Sequence, residues 1–285
     1  MIVTSRPSTN YAVVFGKRNK LPSEFDELYH YQRGCDALLA ALMALEITKG
    51  DKIGVPAYVC NSVVETLKQA GYNPVFIDVE FDLTLDLVKV ADLAEREGFK
   101  VLLVIHYFGI PVNIKNLVKT LRQRNVLILE DCCHSFLSHI YSGKIDIIGD
   151  AAIFSMRKTL PVPDGGALYL KSKASKNRII ENASNLEPIS WPYLLRNVLE
   201  NIVTFFGWPN IYSLWVINVK NFIRKRSNES SSINKNNITN NPQKSSWLLK
   251  RYMSHNSYFQ QVREQTRKNY LNLGNRALSI GLQPY

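Results

Sequence analysis

From residue 34 to about 171 the apolar positions follow two alternating repeats. In 36–45, 61–70, 85–97 and 114–124 they return every three or four residues, the spacing of a helix with one buried face. Between these segments lie short runs rich in Val, Ile, Leu and Phe, at 52–55, 74–78, 101–106, 126–130, 151–155 and 167–170, which read as strands. Helices alternating with strands predict βαβ units, hence an α/β fold with a mostly parallel sheet sandwiched by helices. Right-handed crossovers bring the strand C-termini to one edge, where open α/β sheets bind their ligands. Asp131 follows one strand, His106 ends another and Ser155 ends a third, so these three polar residues are expected to meet there.

Residues 1–171 form one predicted unit, and beyond it the pattern weakens. Residues 172–223 read as a helical extension, whose aromatic and aliphatic stretch 191–223 is broken by Pro192, Glu200, Pro209 and Lys220 and so makes a poor membrane span. Residues 224–246 are rich in Asn, Ser and Lys with little apolar content, the composition of a disordered linker. Helical spacing resumes over 247–285, which reads as a partial small domain. The sequence shows no internal repeat.

Composition narrows the classes. Of 285 residues, 46% are hydrophobic and 21% charged, ordinary for a globular chain. The N-terminus lacks the charged-then-apolar pattern of a secretory signal, which favours a cytoplasmic protein. Cys35, Cys60, Cys132 and Cys133 have no CxxC spacing, so neither a disulfide framework nor a zinc site is expected. The net charge of +11 is uneven: residues 1–171 carry 19 basic and 19 acidic side chains, and residues 172–285 carry 16 and 5. The excess suits an acidic small molecule, while the lack of interleaved aromatics or a reader motif argues against nucleic acid.

Candidate chemistry centres on Lys158, in FSMRKTLPVPDGGALYL, with ILEDCCHSF upstream. A lysine amine can condense with the aldehyde of pyridoxal phosphate, and a carboxylate such as Asp131 can keep the cofactor's ring nitrogen protonated. His134 lies three residues after Asp131 and would share its face if the chain turned helical there. In RGCDALLAAL, the amides of Gly34, Cys35 and Asp36 open a helix and could cradle a phosphate. A metal cluster of Asp131, Cys132, Cys133 and His134 is a weaker reading, because adjacent cysteines point apart and no further ligand cluster is evident.

Five runs in order, GCDA, GDKIGVPAYVCNSVVETLKQAGYNPVFIDVEFDLTLD, VLLVIHYFG, ILEDCCHSF and IGDAAIFSMRKTLPVPDGGALYL, resemble the sugar aminotransferases of the DegT/DnrJ/EryC1/StrS family. These are fold type I pyridoxal phosphate enzymes, and the resemblance spans 33–170. It implies the large domain of that fold, with pyridoxal 5'-phosphate as cofactor and no metal. Asp131 would pair with the pyridine nitrogen and His134 would contact the ring near its phenolic oxygen. Gly34, Cys35 and Ser155 would hold the phosphate, and Lys158 would form the Schiff base and then shuttle a proton. Cys60 stands where an aromatic side chain commonly stacks on the ring, and Tyr58 could serve instead. The reaction implied moves an amino group, typically from glutamate, to a nucleotide-linked keto sugar, in a homodimer.

Two features depart from the family pattern. Only Met156 and Arg157 separate Ser155 from Lys158, where two further residues are usual, and the chain reaches Tyr285 before a full small domain. The expectation is therefore an incomplete, mainly helical C-terminal region. Two readings follow: an aminotransferase, or a truncated, non-catalytic cofactor-binding homologue serving as an interaction module.

Overall fold

The structure, a computed structural model, describes residues 27–110, 112–136, 146–160, 162, 164–181 and 242–245, together with 249, 264, 265, 268, 269, 271, 272 and 275. Seven strands form one mixed sheet: β1 (Tyr29–Tyr31), β2 (Lys52–Pro56), β3 (Asn73–Ile77), β4 (Val101–Ile105), β5 (Leu127–Asp131), β6 (Ala151–Ser155) and β7 (Gly166–Leu170). Their spatial order is β1-β7-β6-β5-β4-β2-β3. The pairings from β3 through to β6 are parallel, and β7 joins β6 and β1 antiparallel.

The helices are α1 (Gly34–Ala44), α2 (Asn61–Gln69), α3 (Leu87–Glu97), α4 (Lys115–Arg122) and α5 (Lys173–Glu181). The sheet's pleat sorts its side chains into two cores. In β4, Val101, Leu103 and Ile105 join the core that includes α1 and α2, whereas Leu102 and Val104 join the core under α3 and α4. All five are buried, which is why VLLVI is an uninterrupted apolar run: a central parallel strand is covered on both faces. Each such side chain contributes roughly 1.5–3 kcal/mol by leaving water. α1 is buried along most of its length, consistent with apolar residues on nearly every side. α3 is amphipathic; its N-cap Asp86 accepts the Lys89 N–H at 2.9 Å, and it stops at Gly98 in the left-handed conformation.

The pleat also decides where β5 sends its carboxylates. Leu129 belongs to the α1 face and Ile128 to the α3/α4 face, so Asp131 follows Leu129 and Glu130 follows Ile128. The strand order reverses between β2 and β4. From β2 the chain goes outward to β3 and then returns to the other side of β2 as β4. Such a switch point leaves a crevice at the strand C-termini.

Of the predicted extension 172–223 only 172–181 are described, and 224–241 and most of 247–285 also lie outside the described residues. Within the predicted linker, 242–245 are placed against β1, with Lys244 bridged antiparallel to Tyr31. No helix among the described residues is long and apolar enough to cross a membrane.

Candidate active site

The crevice at the switch point holds a cavity of about 250 Å³ lined by Tyr58, Val59, Cys60, Ile105, Tyr107, Phe108, Asp131, Cys133, His134 and Lys158. Five residues chosen from sequence therefore meet here: Tyr58, Cys60, Asp131, His134 and Lys158. Asp131 is buried and accepts the Cys133 N–H at 2.9 Å. His134 follows in a turn, without the helix that its spacing from Asp131 was expected to need. After β6, a short turn, Met156–Lys158, carries Lys158 back into the cavity, where its Nζ lies 3.1 Å from His134 Nε2. The shortened link between Ser155 and Lys158 thus still delivers the amine.

The electrostatics give His134 a defined state. Burial, and then the adjacent Lys158 charge, lower its pKa below the ordinary value, against a smaller opposing pull from Asp131. The imidazole is therefore neutral near pH 7, its Nε2 accepts from the Lys158 amine, and its proton sits on Nδ1. Phe108 lies over the ring, with centroids 6.4 Å apart and planes 12° from parallel. Burial, with Asp131 next in importance, pushes the Cys133 thiol well up, so it stays protonated and makes a poor nucleophile.

Opposite this cluster, Tyr58 and Cys60 follow β2. The Tyr58 ring lies 5.5 Å from that of Tyr107, whose hydroxyl donates to the Tyr58 carbonyl at 2.5 Å. Burial pushes the Tyr107 phenol up to about 12, so it remains that donor. Cys60 caps α2, and its Sγ lies 3.1 Å from Ser62 Oγ.

The start of α1 reaches the same end of the sheet. A Cβ at Gly34 would lie 3.3 Å from Cys133 Sγ and 3.5 Å from Ser155 Cβ, so glycine lets the first helical turn sit beside the strand-end serine without pressing on Cys133. First-turn amides have no acceptor within the helix, which leaves Gly34 and Cys35 facing outward as donors. Asp36 differs from expectation: its amide already donates to the Arg33 carbonyl at 3.1 Å, which leaves Gly34 and Cys35 as the first-turn amides without a helical acceptor.

His106 is a correction. It does not line the cavity but turns to the α3/α4 face, with Nε2 2.8 Å from Glu130 Oε2. Val112 donates its N–H to Nδ1 at 3.0 Å, which fixes the ring proton on Nε2, pointing at Glu130. His106, Glu130 and Cys132 bring donor atoms within 4.8 Å of one another, yet this imidazole has no lone pair left for a cation. Sequence reasoning missed Tyr107 and Phe108, although both stand in HYFG, directly after β4.

A buried carboxylate and a lysine amine in one cavity, with a glycine-opened helix and a strand-end serine at the same end of the sheet, fit a phosphorylated, ring-bearing aldehyde. The profile of the DegT/DnrJ/EryC1/StrS aminotransferase family matches residues 30–185. The chain belongs to that family. It is 29% identical over 172 residues to a GDP-perosamine synthase of Escherichia coli O157:H7, covering 56% of this chain and 46% of that protein. It is 26% identical over 154 residues to the UDP-N-acetyl-3-dehydro-alpha-D-glucosamine 3-aminotransferase of Acidithiobacillus ferrooxidans, covering 53% and 42%. The chain thus spans about half the length of the curated relatives it matches. Among solved structures it resembles Spr1654 of Streptococcus pneumoniae, a sugar aminotransferase candidate in its pyridoxal phosphate form. There the TM-score is 0.51 and the identity 18%, with 65% of this chain and 57% of that one covered. At that identity the family's fold is what is shared, and the sheet and flanking helices agree with it.

Proposed function

We propose that the chain is a cytoplasmic, homodimeric pyridoxal phosphate-dependent aminotransferase that moves an amino group from glutamate to a nucleotide-linked keto sugar. The observation that carries this reading is the Lys158 amine, 3.1 Å from a neutral His134, in the cavity that Asp131 also lines. Support for the substrate class comes from two curated relatives named for nucleotide-linked sugars, and an anionic diphosphate suits the basic excess after residue 171.

When bound, pyridoxal phosphate supplies an aldehyde for exchange with amines and a ring that takes up electrons from the substrate carbon. The chain supplies the rest. The Asp131 carboxylate holds a positive charge on the ring nitrogen. Gly34 and Cys35 amides and the Ser155 hydroxyl hold the phosphate. His134, fixed by Phe108, orients Lys158, and Lys158 moves the proton at the reacting carbon. Tyr58 and Tyr107 line the opposite flank.

The test is borohydride reduction of the purified protein with pyridoxal phosphate, followed by peptide mapping. Label on Lys158, absent from Lys158→Ala, and spectral conversion by glutamate are the expected results. Label scattered over surface lysines would overturn the reading. Capture on Lys158 without conversion by any amino donor would favour the non-catalytic interaction module instead.

A further inference from the structure

The segment 242–245 lies well beyond the matched region 30–185, yet it seats against the first turn of α1. The Gln243 carbonyl accepts the Gln32 N–H at 3.0 Å, and the Gln243 backbone N–H is turned toward the buried Asp36 carboxylate, where it weakly opposes the upward pull of burial on that group's pKa. Gln243 is 6% exposed, and Leu249 is fully buried against Gly165.

Two hydrogen-bonded paths run from Gln243 to the two ends of the site. Along the first, the Gln32 carbonyl accepts the Gly165 N–H and the Gly165 carbonyl accepts the Met156 N–H, each at 2.9 Å; Met156 opens the turn that ends at Lys158. Along the second, Asp36 joins Gln243 to Arg33. Its carboxylate is buried and lies 3.4 Å from Arg33 Nε, with the Arg33 backbone N–H also turned toward it. Arg33 is the N-cap of α1 and has no side-chain cap of its own, and Asp36 faces the cap amide from within the helix. Gly34 and Cys35 lie between Arg33 and Asp36, the two ends of that contact. The negative charge of Asp36 stands in the same helical turn as the phosphate donors, where charge alone would weaken anion binding.

We propose that residues 242–245 are a positioning clasp for the phosphate end of the site, with the Gln243 peptide holding Asp36 so that the Gly34 and Cys35 amides are set to receive a phosphate. The inference rests on the reading that a phosphorylated aldehyde occupies the cleft. The clasp acts on the phosphate, so its loss should separate pyridoxal phosphate from pyridoxal, which shares the ring and aldehyde.

Equilibrium titration with both compounds tests this in wild type, Asp36→Ala, Asp36→Asn and Gln243→Pro, each first checked for cooperative unfolding. Asp36→Ala and Gln243→Pro are expected to weaken pyridoxal phosphate about tenfold, the scale of one lost charge-assisted hydrogen bond, and pyridoxal less than about twofold. Asp36→Asn keeps an acceptor for Gln243 and loses the charge, so it should bind pyridoxal phosphate at least as tightly as wild type. If Asp36→Ala matches Asp36→Asn, Asp36 acts through charge alone and the clasp is overturned; equal losses for both ligands also overturn it. Should Gln243→Pro fail to fold, the Asp36 pair decides. Wild type that neither prefers pyridoxal phosphate to pyridoxal nor captures it on Lys158 would sink the underlying reading rather than the clasp.

Discussion

Two carboxylates stand side by side at the end of β5, each near a histidine, and they serve opposite ends. Glu130, on the α3/α4 face, accepts the Ile148 and Gly149 N–H groups on one oxygen and His106 Nε2 on the other. Asp131, one residue on and on the α1 face, lines a cavity with His134 and Lys158. His106 is 2% exposed with both ring nitrogens engaged, whereas His134 is exposed and faces an amine. The same two residue types thus make a structural tie on one face and a reactive cluster on the other. What separates them is the pleat, together with the supply of backbone donors. A carboxylate with three donors is fixed; one with room beside it can meet a ligand.

That contrast can be broken at either residue, and the largest effect is expected at Glu130. Glu130→Ala leaves the His106 N–H and two loop amides buried without an acceptor, and should cost about 3–5 kcal/mol of folding stability in urea titrations. Asp131→Ala should do the reverse: stability within about 1 kcal/mol of wild type, but borohydride capture of pyridoxal phosphate on Lys158 weakened roughly a hundredfold, about 2.7 kcal/mol. Equal stability losses in the two variants would erase the distinction.

A smaller effect is expected at the wall that joins the two faces. Residues 107–109 leave His106 and carry Phe108 over His134, with Phe108 itself at φ +55°. Gly109 has φ +84°, and a Cβ there would lie 3.0 Å from the His134 carbonyl. Gly109→Ala should cost about 1–2 kcal/mol through backbone strain and crowding. It should also weaken capture on Lys158, because the displaced atoms are those of His134. Loss of stability with unchanged capture would show that the wall does not position the histidine.

Six strands and four helices were legible because each is a run whose period is set by two covered faces, as in VLLVI or in the amphipathic α3. β1 was not: its three residues are a strand only because β7 and Lys244 pair with them, a partnership with no local signal. α5 falls within the stretch 172–223 that read as a helical extension, but KASKNRIIE is too polar for its apolar spacing to mark the helix's own bounds. At the site, Asp131, His134 and Lys158 were legible as residue types in order after strands. Phe108 was not, because its left-handed backbone and its stacking on His134 are tertiary facts. His106 misled because a strand-end histidine can turn to either face, and only Glu130 and Val112 show which.

The smallest expected effect sharpens the comparison through proton binding. Folding lowers the His134 pKa, so between its folded and unfolded values the unfolded chain binds more protons and stability rises with pH. The contribution of the neutral ring is therefore present above about pH 6.5 and lost as acid titrates the unfolded chain. His134→Gln should flatten the fall in urea midpoint between pH 7 and pH 5; an unchanged slope would count against it. The cause can be tested separately. Lys158→Met removes one of the two influences that lower the pKa, so the His134 ring, followed by NMR, should titrate at higher pH than in wild type. Asp131→Asn removes the opposing pull and should move it lower still. Shifts of these opposite signs would place His134 electrically between the lysine and the carboxylate, the setting that His106, with its proton committed to Glu130, does not have.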